Sequence, residues 1–136
     1  MTEVLANIPA NDLRVYVVWL PAIPKDNRDA AVRDAAIFDD PRMLHYWDPV
    51  AAQGMEWNRK LNLPTGQLAW DIFIVLPRGA TWKADEMPTP LYWSHQLSMQ
   101  VGIKYDPVEL RKEIEKALER PETSKKKTTG KDKPAG

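Results

Sequence analysis

The stretch Arg14-Val15-Tyr16-Val17-Val18-Trp19-Leu20 decides the fold. It is rich in β-branched and aromatic residues, nearly continuous in apolar character, and bounded by Pro21, which together predict a β-strand. A strand that is apolar at consecutive positions belongs where both faces are covered, as in the centre of an α/β sheet. A second stretch of this kind runs from Trp70 to Leu76 (WDIFIVL). Between the two, Asp26 to Phe38 reads as a helix, with Ala30, Ala31, Val32, Ala35, Ala36 and Ile37 supplying propensity and a packing face. Arg42 to Trp47 reads as a short strand or an extended link. Asp48-Pro49 has the form of an N-cap followed by proline at the first helical position, predicting a helix from about 49 to 62 with Met55, Leu61 and Leu63 inward.

Working outward from this centre, residues 2–8 read as the end of a helix. Val4, Leu5 and Ile8 share one face, and Pro9 stops it. Downstream, Pro77-Arg78-Gly79 suits a tight turn, after which Ala80 to Lys83 can pair back as an edge strand. A further edge segment is expected at Leu91 to Trp93, held out of a sheet centre by Pro88 and Pro90. Asp106-Pro107-Val108-Glu109 opens the last helix with a cap, a proline and a capping-box glutamate, and Leu110, Ile114, Ala117 and Leu118 form its buried stripe. Strands alternating with helices, then a hairpin and a closing helix, predict an α/β three-layer sandwich with a central mixed sheet.

With 136 residues the chain suits one domain. Residues 1–120 are expected to form it, because 121–136 hold no large apolar residue and read as a disordered lysine-rich tail. The net charge of zero divides unevenly, with 14 Lys/Arg against 17 Asp/Glu in residues 1–120 and 5 Lys against 2 acids in the tail. An acidic body gives no reason to expect nucleic acid as a partner. The chain has no cysteine, so it can neither form a disulfide nor carry out thiol–disulfide chemistry with its own residues. The N-terminal residues lack the basic and apolar regions of a signal peptide, and Val15 to Ile23 is too short to span a bilayer. A cytoplasmic location without membrane attachment is the default expectation.

Chemical motifs are sparse. Neither G-x-G-x-x-G nor a Walker loop occurs among the six glycines, so no nucleotide cradle is visible and no cofactor is expected. None of Ser94, Ser98 and Ser124 sits in G-x-S-x-G. His45, Asp48, Asp71 and His95 are the polar residues that could serve acid–base or metal chemistry. Their spacing lacks H-x-x-x-H and E-x-x-H, however, and no metal site is expected. Asp48 most simply caps a helix, and the histidines are better read as partly buried residues bonded to their neighbours. Asp71 is costly inside a strand unless it faces solvent or finds a partner, and a place at the strand's exposed start is the simpler reading. Tyr46-Trp47 and Tyr92-Trp93 could stack on a ligand, but without interleaved basic residues they are read as core.

Four segments carry a resemblance: RVYVVWLP (14–21), DPRMLHYWD (40–48), AWDIFIVLPRGATW (69–82) and PLYWSHQL (90–97). Together they resemble a group of bacterial thioredoxin-like proteins over about residues 3–97. The resemblance implies a thioredoxin-like fold of presumed thiol redox function. It also implies a C-x-x-C-type motif, sometimes with selenocysteine, between a first strand and a first helix. Here that strand and motif are missing, so the fold is expected to be N-terminally incomplete and the chain redox-inactive as written. The proline that thioredoxins hold in cis before the third strand is not evident either, since Pro64 lies several residues from Trp70. No catalytic residue is carried over. Two explanations remain. The favoured one is a longer product with an unread front segment, since a sheet lacking its first strand leaves one side of residues 14–20 open. The other is a redox-dead relative kept for binding an unknown protein partner through the sheet edge or the aromatic region 82–97.

Overall fold

A computed structural model describes residues 1–83 and 85–121. Apart from Pro121, the expected lysine-rich tail lies outside the described residues. The elements run α1 (Thr2–Ala6), β1 (Val15–Trp19), α2 (Arg28–Ala35), β2 (Met43–Trp47), α3 (Ala52–Leu61), β3 (Ile72–Val75), β4 (Tyr92–His95), β5 (Ile103–Lys104) and α4 (Pro107–Glu119). This is a mixed α/β architecture, with no helix among the described residues long and apolar enough to cross a membrane.

The helix boundaries follow from caps. The Asn27 side chain accepts a hydrogen bond from the Ala30 N–H at 2.9 Å and starts α2. Asp106 Oδ1 accepts from both Val108 and Glu109 N–H groups, at 2.8 and 2.9 Å, and Pro107 follows at the first helical position of α4. Helix α3 starts later than the Asp48-Pro49 pair predicts, because Ala51 takes a left-handed conformation with φ 54°. Asp48 still accepts from Gln53 N–H at 2.8 Å, so it caps the helix across that kink. Trp57 and Gly54 are buried, whereas Met55, expected inward, is exposed. Gly54 packs where a Cβ would meet Leu68 Cδ1 at 2.6 Å.

The strands form two separate sheets instead of the single central one expected. β1 and β2 pair in parallel, with Tyr16 opposite Leu44 and Val18 opposite Tyr46. β3, β4 and β5 form a mixed sheet in which β4 lies in the middle, antiparallel to β3 and parallel to β5. The segment around 91–93, expected at an edge, is therefore central. Pro88 and Pro90 precede the paired residues and take no place in the ladder. The edge strand expected at 80–83 reduces to an isolated bridge between Lys83 and Glu86.

The mixed sheet is covered on both faces, as strand alternation requires. Phe73, Val75 and Tyr92 pack with Val4 and Ile8 and with Leu110 and Ile114 of α4. Ile72, Ile74 and Trp93 pack on the other side with Trp57, Leu63, Ala69, Leu97 and Met99. The stripe expected on α4 is present, with Ala117 and Leu118 against the first of these clusters.

Arg42 ties the two sheets together through α1. It stands just before β2, and its guanidinium donates to the backbone carbonyls of Leu5, Ile8 and Ala10, and to both carboxylate oxygens of Asp40. The guanidinium bonds hold the Asp40 carboxyl at about 2, below its ordinary 3.8. A carboxylate with a depressed folded-state value stabilises the fold above its unfolded value, and that stabilisation disappears as pH falls through about 2. Acid titration of stability is thus expected to be shallower in Asp40→Asn than in the parent between the two values, as read by urea unfolding at a series of pH values.

Candidate functional site

The parallel β1–β2 pair presents two unlike faces. On one, Trp19 and His45 lie against Phe38, which follows α2. The Trp19 indole N–H donates to His45 Nδ1 at 3.1 Å. A neutral imidazole that accepts at Nδ1 carries its proton on Nε2. That nitrogen is buried and without a hydrogen-bond partner among the described residues.

The other face is open. Tyr16, Val18, Leu44 and Tyr46 occupy it, paired in register two by two. They are exposed at 57, 37, 41 and 52 %, and the tyrosine rings stack with centroids 6.3 Å apart. Four largely apolar side chains about half exposed present roughly 400 Å² in one patch, within the size range of the largest patch on an ordinary monomer, which is often functional. Parallel strands ordinarily have both faces covered, so this patch runs against the usual arrangement of the very strand that decides the fold. The core reading of Tyr46 is corrected here. Tyr92, by contrast, is buried and Trp93 packs in the core as expected.

The outer edge of β1 is open as well. Val15 N–H donates to Arg42 C=O, and Trp19 C=O accepts from Asp48 N–H, so residues 15, 17 and 19 direct their backbone groups to β2. Tyr16 and Val18 direct theirs the other way, where no strand of the described residues pairs with β1.

The polar residues singled out in the sequence do not converge. His45 and Asp48 belong to the parallel pair and its helix cap. Asp71 is exposed just before β3, with φ 49°, and contributes its C=O to Gln96 N–H at 3.0 Å. His95 is fully buried in β4, where Nδ1 accepts from Leu97 N–H at 3.1 Å and Nε2 lies 2.9 Å from Val101 C=O. Both ring nitrogens are satisfied by backbone, which suits a structural residue. Among the described residues, no three His, Asp or Glu side chains are placed to hold a metal ion. A cleft of about 270 Å³ lies between α1 and the α2–β2 link, lined by Leu5, Ile37, Phe38 and Met43 with Asp39 and Asp40. Of these, Asp40 is already engaged in structure through its ion pair with Arg42.

Sequence reading missed Tyr16, Val18 and Leu44 as surface residues. Their spacing of two, shared with Tyr46, places all four on one face. It does not reveal that nothing lies over them. The chain matches no protein-family model, no curated protein and no solved structure.

Proposed function

We propose that this chain is a thioredoxin-like domain that binds another polypeptide and performs no thiol exchange of its own. The observation that carries the reading is the open aromatic face of β1–β2, Tyr16, Val18, Leu44 and Tyr46. Tyrosine is favoured at binding surfaces because it offers large rigid contact area at low entropic cost. The thioredoxin-like part rests on the four sequence segments and on the element order. A parallel β1–α2–β2 unit is followed by an antiparallel β3–β4 pair and a closing helix. The 136 residues hold no cysteine, the nucleophile such a domain uses for exchange.

The full chain is expected to bind a permanently unfolded polypeptide, reduced and carboxymethylated α-lactalbumin, in fluorescence anisotropy. The double variant Tyr16→Lys/Tyr46→Lys, whose changes lie on exposed positions, keeps its far-UV circular dichroism and binds at least about ten-fold more weakly. Equal binding by parent and variant rejects this face as the binding surface.

A further inference from the structure

The Trp19–His45 bond lies on the more shielded side of the parallel pair. Val15, Val17 and Trp19 of β1 alternate to that side with Met43, His45 and Trp47 of β2, and all six are half-buried. Phe38 joins them from the link after α2, its ring centroid 6.3 Å from that of Trp19 and 6.2 Å from that of His45. Three rings from three parts of the chain thus meet around one side-chain hydrogen bond.

That bond tolerates one protonation state. An indole N–H can only donate, so His45 Nδ1 presents its lone pair to it at 3.1 Å. An imidazolium carries a proton on both nitrogens, which sets two N–H groups against each other at that position. The buried Nε2 offers no compensation, because its proton meets no acceptor among the described residues. A charged ring therefore loses its one hydrogen bond and gains none, a costly arrangement away from water. The ring centroids of Trp19 and Phe38, 6.1 and 6.2 Å away, lie just beyond the reach at which an aromatic face holds a cation.

No charged neighbour offsets this cost. Neither β1 nor the rest of β2 contains a charged residue. Arg14, before β1, donates to the carbonyls of Asn11 and Leu13. Asp40 and Arg42, before β2, are bonded to each other, and Asp48, after it, accepts from Val50 and Gln53 N–H. Arg28, Asp29, Arg33 and Asp34 of α2 are exposed, as is Asp39 beside Phe38.

We infer that the Trp19–His45 pair is a proton-operated latch: a neutral His45 fastens β1 to β2 beside Phe38, and protonation of His45 breaks the bond and loosens the parallel pair. Histidine is the side chain whose charge ordinarily changes between about pH 5 and 8. The Asp40 carboxyl, held at about 2, stays ionised throughout that range and takes no part. The sign follows from the neutral ring being the bonded form. The pair is firm at the upper end of the range and weakens toward the lower end. The bond joins two neighbouring strands of the chain itself, so the latch does not depend on what covers the outer edge of β1. Tyr16, Val18, Leu44 and Tyr46 lie on the opposite face of the same two strands, which places the latch directly beneath them.

The test is amide exchange of the full chain, followed by NMR at about pH 7.5 and about pH 5, with each rate divided by its intrinsic chemical rate at that pH. The Val15 and Val17 amides, directed to β2, are expected to lose protection at least about ten-fold at the lower pH, as one hydrogen bond is lost and a charge left unpaired. The Trp19 indole proton is expected to move upfield over the same interval, as a donor that has lost its acceptor. In His45→Asn, whose Oδ1 accepts from the indole at either pH, protection is expected to change no more than about two-fold. Trp19→Phe, which removes the donor and keeps the histidine, is expected to shrink the acid response likewise. His95 also accepts at Nδ1, but from Leu97 N–H in the mixed sheet, and both variants leave it in place. An acid response of β1 in His45→Asn equal to the parent's overturns the latch. An unmoved Trp19 indole resonance, or equal protection of Val15 and Val17 at both pH values, overturns it in the parent protein alone, without any variant having to fold.

Discussion

Replacing His95 by alanine is expected to lower stability by about 3–5 kcal/mol, enough to unfold a large share of a marginally stable domain. The side chain is fully buried in the middle strand of the mixed sheet. One ring nitrogen accepts from Leu97 N–H and the other meets Val101 C=O, so truncation orphans two backbone groups. Each orphan costs about 1–3 kcal/mol, and the cavity beside Trp93, whose ring centroid lies 5.9 Å away, adds to it. His95→Gln retains one acceptor and one donor on a side chain of similar length, and is expected to recover about half the loss. Urea unfolding of the three proteins measures the series.

How much of this was legible beforehand varies with the kind of signal. β1, β3 and α4 could be read locally, because β-branched runs and an Asp-Pro cap act within a few residues of themselves. The central place of β4 could not. It depends on β5, a two-residue strand (Ile103–Lys104) with no pattern of its own, and on a hydrogen bond from Tyr105 N–H to His95 C=O. The histidines show the same limit. His45 meets Trp19 because the parallel register aligns Trp19 with Trp47 and Val17 with His45, and His95 finds its partners in the loop that follows. Apolar continuity in Arg14–Leu20 correctly announces a strand. It speaks for what the strand would tolerate on each face and not for what covers it, so the open face of Tyr16 and Val18 and the division of the strands into two sheets emerge only in three dimensions.

Arg42→Lys is the second large effect, about 2–4 kcal/mol, despite keeping the charge. The planar guanidinium donates in several fixed directions at once, to the carboxylate of Asp40 and to the carbonyls of Leu5, Ile8 and Ala10. A lysine ammonium is a point donor on a flexible stem and cannot span that set. It can keep the Asp40 pair or reach one carbonyl, and the remaining carbonyls at the end of α1 lose their partners. The side chain is only 15 % exposed, so water compensates poorly. The consequence is local as well as global. α1 holds its place over the mixed sheet through Val4, with Ile8 just beyond its end, but is fastened to the parallel pair through Arg42. Amide exchange in β1 and β2 is therefore expected to quicken in Arg42→Lys more than in β3 and β4. Uniform quickening throughout the chain would mean that the two sheets unfold as one unit without this tie. Preferential loosening of β1–β2 would show that the Arg42 contacts hold the parallel pair against the rest of the fold.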